Sequence, residues 1–148
     1  MFKKILFATD GSAASDHAAE MAVSLARTHD AHLTAVYVVD PYPYLGIGEM
    51  NPLGFQSYMA AAQEHAVKAF ERVIQLADAE TAQLRVTVDT RLVENMTALK
   101  GILQTAETIE ADLIIVGSHG RSGWEKLIVG STASKVVTGS VRPVLVVR

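Results

Sequence analysis

The chain has 148 residues and a formal net charge of −3, and 49% of its residues are hydrophobic against 20% charged. This composition is typical of a globular protein of one domain rather than a disordered chain. The sequence has no basic patch of the kind that would indicate a nucleic-acid partner. Cysteine is absent, which excludes disulfides, thiolate zinc sites and cysteine nucleophiles.

The first part of the chain predicts a strand, a helix and a second strand. No signal-peptide core precedes the apolar run at residues 5–8, and no run reaches transmembrane length, so we expect a cytoplasmic protein without membrane insertion. The run at 5–8 is typical of a central strand, and Gly11 and Ser12 follow it as a turn. Apolar residues at helical spacing then predict a helix around residues 18–26, and residues 33–39 predict the second strand.

The middle of the chain predicts a loop, a long helix, a strand and a further helix. Residues 41–54 are rich in proline and glycine, which indicates a long irregular loop. Helical spacing follows over about 57–79, and apolar and polar residues alternate over 84–89. That alternation predicts a third strand with one wetter face near an edge of the sheet. The next helix has its N-cap at Asn95 or Thr97.

The last part of the chain predicts a buried strand, a glycine-rich loop, a helix and a final strand. The bare apolar run at 113–116 is typical of a strand covered on both faces. A helix follows Gly130, with Ser131 as its predicted N-cap, and ends at Gly139. Residues 144–147 predict the last strand.

This alternation of strands and helices predicts an α/β fold with an open, five-stranded parallel sheet and helices on both faces. Ligands of such sheets bind outside the carboxyl ends of the strands, where the strand order reverses. If the first and fourth strands are neighbours there, the loops at 8–11 and 117–120 meet at one point.

The second of these loops has the chemistry of a phosphate site. Gly117, Gly120 and Gly123 allow positive φ or a close approach of the backbone to a ligand. Free amides and the positive end of the helix dipole converge where such a loop opens a helix. The P-loop and dinucleotide fingerprints are absent, so the motif is of another kind.

The pattern G-x2-G-x9-G-S at Gly117, Gly120, Gly130 and Ser131 resembles that of the universal stress protein family, as do residues 3–12 and 142–147. The resemblance covers residues 1–148 as one domain, and the intact glycine motif is similar to that of the branch that binds ATP. It implies a Rossmann-like fold similar to the adenine nucleotide alpha hydrolases, and we expect the strand order 3-2-1-4-5.

The resemblance also implies a set of binding residues. Adenine and ribose would lie against the first two strands, with Asp10 accepting a hydrogen bond from the ribose or helping to hold a metal. The family often has proline where Ala8 stands, and a small residue also admits the base. The triphosphate would lie on the glycine motif. The residues implied are Ala8, Thr9, Asp10, Val38, Val116, Gly117, His119, Gly120, Gly130, Ser131 and Thr132.

Several of these residues also have a purely structural interpretation: Gly117 and Gly120 as turn glycines, Asp10 as a cap of the following helix, and His119 as a surface residue. For function, the first hypothesis is a regulatory protein that binds ATP, or AMP or ADP, with Mg²⁺, and that signals to an unidentified protein partner. The second is a slow ATPase or autophosphorylating protein, although no catalytic residue can be assigned. The third is a scaffold that needs no nucleotide; the resemblance implies a homodimer through residues 144–147, or a tetramer.

Overall fold

Strands and helices alternate through the part of the chain that the computed structural model describes, which is residues 1–41, 52–79, 85–119 and 129–148. The elements are β1 (Lys4–Ala8), α1 (Ala13–His29), β2 (His32–Val39), α2 (Pro52–Ala77), β3 (Val88–Glu94), α3 (Ala98–Thr108), β4 (Leu113–Gly117), α4 (Ser131–Gly139) and β5 (Val144–Val147).

The five strands form one parallel sheet in the order β3-β2-β1-β4-β5. Successive strands run outward from β1 to β3, and the chain then crosses back to place β4 on the other side of β1. The strand order therefore reverses between β1 and β4, and Ala8 lies opposite Val116 at their carboxyl ends. The fold class and the strand order predicted from the sequence are confirmed.

Side chains that alternate along the central strands bury both faces of this sheet. Ile5 and Phe7 belong to a core shared with α1 and α2. Leu6, between them, belongs to a second core shared with α3 and α4. All three side chains are fully buried, which explains why the sequence of β1 is a bare apolar run rather than an alternating one. Among the helices of the described residues, none combines the length and apolar character needed to cross a membrane.

The predicted third strand is displaced along the chain. β3 covers Val88–Glu94 rather than residues 84–89, and residues 80–84 lie outside the described part. The register explains the shift, because Leu33 of β2 pairs with Val88 and the ladder continues to Glu94. Val86 is buried in the first core without belonging to the strand. β3 itself is mostly exposed, so it lacks the buried periodicity that sequence patterns detect; its predicted place at an edge is confirmed.

Two helix boundaries also differ from the predictions. α2 begins at Pro52, so residues 52–54 of the predicted loop are helical; proline suits the first position of a helix because its missing N–H would have no partner there. Residues 42–51 lie outside the described part. α4 has Gly130 as its N-cap, and Ser131 is its first helical residue. The predicted cap of α3 at Thr97 is confirmed, with the Lys100 N–H donating to its hydroxyl over 3.4 Å.

Candidate functional site

A cavity of about 480 Å³ lies at the carboxyl edge of the sheet, beside the point where β1 and β4 end. This volume is within the range of small-molecule sites. The cavity gathers every predicted site residue that the structure describes: Ala8, Thr9, Asp10, Val38, Val116, Gly117, His119, Gly130, Ser131 and Thr132. Gly120 lies outside the described residues. The structure thus places these residues around one space, and their binding of a ligand stays a prediction.

The loop after β1 holds the Asp10 carboxylate in place at the cavity wall. Its Oδ1 accepts hydrogen bonds from the Ser15 hydroxyl at 2.6 Å and from the Ser12 N–H at 3.0 Å. Ser12 is the N-cap of α1 and accepts from the Ser15 N–H. Ser12, and not Asp10, is therefore the cap of the helix, which corrects the structural interpretation of Asp10; the Asp10 carboxylate holds the capping residue and also lines the cavity. The two roles are compatible.

Gly11, in the same loop, is the position where the described backbone requires glycine for its conformation. Its φ is +74°, a region that residues with a Cβ rarely adopt. A Cβ there would have space, since the nearest atom is Ala69 Cβ at 3.8 Å. The constraint at Gly11 is thus conformational and not one of packing.

The glycines of the motif are constrained in the opposite way. Gly117 and Gly130 do not adopt positive φ. An added Cβ would lie 3.2 Å from the Ala14 carbonyl oxygen at Gly117, and 2.9 Å from the Ser118 carbonyl oxygen at Gly130. At Gly130 the chain approaches its own backbone more closely than a Cβ allows, and at Gly117 a Cβ would make a tight contact with backbone. Sequence reasoning had attributed the glycine at position 117 to positive φ or to a ligand.

Ser118 joins the loop after β4 to two other elements. Its N–H donates to the Val147 carbonyl at 2.7 Å, and its own carbonyl accepts from the Gly130 N–H at 2.6 Å. The Ser118 hydroxyl lies 2.8 Å from Nδ1 of His119. Ser118 is only 2% exposed. It therefore ties together the cavity wall, the start of α4 and the end of the edge strand β5.

The N-terminus of α4 presents main-chain donors at the cavity. The first α4 hydrogen bond runs from the Ser134 N–H to the Gly130 carbonyl over 2.9 Å, so the preceding amides at 131–133 have no partner within the helix. Gly130 has no side chain with which to cap them. Ser131, Thr132 and Ala133 all line the cavity. The absence of a side chain at the cap position, which corrects the prediction of Ser131 as cap, keeps these donors accessible to an anion.

Part of the cavity lining is apolar. Val38 at the end of β2 and Ala98 and Ile102 on α3 line the cavity there, next to Ala8 of β1. Because β2 and β4 lie on opposite sides of β1, the apolar wall and the α4 N-terminus face the cavity from different sides. The site can therefore accept a molecule with a flat apolar part and an anionic part.

Sequence reasoning missed the wall that α2 contributes. Tyr58, Ala62 and His65 line the cavity, and the Tyr58 hydroxyl donates to the Asp40 carbonyl at 2.9 Å. These three residues share a helix face through their spacing of four and three positions. That spacing was visible in the sequence, but nothing local indicated that this face would lie over the end of β2.

Charged side chains outside the cavity form exposed pairs. A hydrogen bond from Lys68 lowers the pKa of Glu64, and one from Lys4 lowers the pKa of Glu110. Within the described ranges no group of three or more histidine, aspartate and glutamate side chains is arranged to hold a metal ion.

A doubly wound parallel sheet with a cavity at its switch point places the protein among the Rossmann-like α/β folds. The family model described as the universal stress protein family matches residues 1–148, and the chain belongs to this family. It is 36% identical to a universal stress protein of Thermus aquaticus, over 100% of both chains.

Solved structures show the same fold. The chain is similar to universal stress protein UspA from Lactobacillus plantarum, with a TM-score of 0.82 and 30% identity over 99% of this chain and 97% of that one. It is also similar to the universal stress protein from Archaeoglobus fulgidus in complex with dAMP, with a TM-score of 0.69 and 17% identity over 99% and 98% of the two chains.

Proposed function

We propose that the cavity binds ATP together with Mg²⁺, and that the bound nucleotide regulates the protein. The observation that carries this proposal is the position of the α4 N-terminus: its uncapped amides at 131–133 lie at a cavity that also has an apolar wall. The binding residues are those predicted from the sequence, including Gly120. ADP and AMP share the base and the ribose and would bind the same site with fewer phosphate contacts.

Each part of the nucleotide has a matching part of the cavity. Adenine fits the apolar wall at Val38, and the carboxylate of Asp10, already held by Ser12 and Ser15, accepts a hydrogen bond from a ribose hydroxyl. The phosphates lie at the start of α4, where free N–H groups and the helix dipole favour anions. The related Archaeoglobus fulgidus protein was solved with dAMP; that likeness establishes the fold alone, so the proposal rests on this cavity.

Calorimetric titration and thermal melting test the proposal directly. A ligand at a hundred times its Kd stabilises the folded state by about 2.7 kcal/mol, which raises the Tm of a domain of this size by roughly 5–10 °C. ATP with Mg²⁺ should produce this shift, whereas adenosine and inorganic triphosphate, which each fill one side of the cavity, should produce smaller ones. An unchanged Tm at millimolar ATP would refute the proposal. Mass spectrometry of the denatured protein identifies any nucleotide that copurifies.

We also propose that two copies of the chain pair through β5. We propose further that nucleotide binding affects this pairing through Ser118, which contacts both the start of α4 and the end of β5. β5 is an edge strand, and edge strands offer unpaired backbone groups to another chain. Pro143 and Val147 accept hydrogen bonds from β4 and from the residue that follows it. The backbone groups of Val144 and Val146 therefore point to the open edge, because alternate residues of a strand face opposite neighbours.

The variant Val146→Pro tests this pairing. It removes an outward N–H while leaving the hydrogen bonds between β5 and β4 in place, and an edge strand tolerates proline. We expect light scattering to give a dimer for the wild type and a monomer for the variant, with the same circular dichroism spectrum. A monomeric wild type, or a variant that remains dimeric, would contradict pairing through this strand.

A further inference from the structure

Gly101 lies in the interior of α3, where the helix passes over β2. An ideal Cβ at this position would be 2.7 Å and 2.8 Å from the two γ-carbons of Val38, and 3.3 Å from Cγ1 of Val93. Carbon atoms in proteins do not approach to the two shorter distances, so α3 packs on β2 more closely than any other residue would permit. Glycine is a poor helix former, and its presence here is explained by this close packing.

Val38 cannot avoid such a Cβ by rotating. Its two methyl groups occupy two of the three staggered positions about χ1, and both are within 3 Å of the added atom. Every other rotamer leaves a methyl group in at least one of these two positions. The backbone would therefore have to move. The Gly101 carbonyl also accepts a buried hydrogen bond from the Thr105 hydroxyl at 2.7 Å, which ties this turn of α3 in place.

The elements in this contact also form the apolar wall of the cavity. Val38, Ala98 and Ile102 line the cavity, whereas Gly101 lies behind them and does not. The distance between α3 and β2 sets the separation of Val38 from the two α3 side chains. We infer that Gly101 is a positioning residue. It sets the distance between Val38 and the α3 side chains that line the cavity, and so determines how much the purine base contributes to nucleotide affinity. This inference rests on the proposed function.

A double-mutant cycle between Gly101→Ala and Val38→Ala tests the inference. In the wild-type background Gly101→Ala should weaken ATP binding about tenfold or more, as a misfit of one methyl group does in an apolar pocket. In the Val38→Ala background the γ-carbons are gone, and the same change should alter the Kd by less than about twofold. Gly139→Ala is the matched control, because its Cβ would meet only the tips of Leu103 and Leu99 side chains.

Inorganic triphosphate separates a positioning role from a general structural one. It lacks a base, so Gly101→Ala should leave its Kd within about twofold of the wild-type value. An equal loss of ATP and triphosphate binding, or unchanged ATP binding, would overturn the inference while the proposed function stands. If the wild type binds no ATP, both fall. If Gly101→Ala does not fold, the double variant decides: ATP binding equal to that of Val38→Ala supports the inference, and weaker binding overturns it.

Discussion

The substitution Gly130→Ala tests whether the close approach of the chain to itself holds the phosphate-binding amides in position. The new Cβ would lie 2.9 Å from the Ser118 carbonyl oxygen, a backbone atom that cannot rotate away, and 3.5 Å from the Cα of His119. The Gly130 N–H already donates to that carbonyl over 2.6 Å. The start of α4 must therefore move away from the end of β4.

The expected loss of stability follows from these contacts. Forcing a methyl group into a packed contact costs about 1–3 kcal/mol. Alanine is a worse N-cap than glycine by roughly 0.5–1 kcal/mol, but it reduces the entropy of the unfolded chain by about the same amount, and these two effects offset each other. We expect a free energy of unfolding lower by about 2 kcal/mol, which corresponds to a Tm lower by roughly 6 °C.

The expected loss of ATP affinity has a separate cause. Displacing the α4 N-terminus weakens at least one hydrogen bond from an amide to a charged phosphate, which is worth about 1.5–3 kcal/mol, or roughly a tenfold to hundredfold increase in Kd. Calorimetric titration measures this Kd, and urea unfolding measures stability. Gly139→Ala, at the other end of the same helix, is the control: its Cβ would lie 3.3 Å from a flexible Leu103 methyl group, so both values should stay close to wild type.

Two results would refute this reasoning. Wild-type ATP affinity in a destabilised Gly130→Ala protein would show that the amides of α4 do not hold the phosphates. Unchanged stability would show that the contact with Ser118 relaxes at no cost. A far-ultraviolet circular dichroism spectrum equal to that of the wild type is needed in either case, because it shows that the fold is retained.

Three further predictions concern the neighbourhood of the site and the surface. Gly11→Ala should lower the free energy of unfolding by about 1–2 kcal/mol, because φ is +74° there; urea unfolding should show a smaller loss for Gly11→Asn. Ser15→Ala should cost about 1.5 kcal/mol by removing the hydrogen bond to the Asp10 carboxylate, and an unchanged urea midpoint would contradict this. The hydrogen bond from Lys4 lowers the pKa of Glu110, so the stability from this pair is present above the ordinary glutamate pKa of about 4.3 and is lost as the pH falls through the lowered value. Unfolding of Glu110→Gln should therefore differ from wild type near neutral pH and converge with it in acid; a difference that persists in acid would contradict the assignment.

Much of the architecture could be predicted from local patterns. The apolar runs at 5–8 and 113–116 are strands covered on both faces, and the alternation of strands with helical periods predicts a parallel sheet with right-handed crossovers. The glycine motif pointed to residues that the structure gathers around one cavity. The inferences about strands and helices succeeded because burial on two faces and helical amphipathicity leave recognisable patterns within a single segment.

Features that depend on two distant segments could not be predicted in this way. The pairing of β3 with β2 decides where β3 starts. The carbonyl of Ser118 makes glycine necessary at position 130, and the methyl groups of Val38 make it necessary at position 101. The α2 wall of the cavity is likewise a matter of where a helix face comes to lie. The sequence by itself determined the elements, their order and the chemistry available at the carboxyl edge. Only the tertiary structure decided which segments come into contact, because steric contact between segments far apart in the chain leaves no periodic pattern in the local sequence.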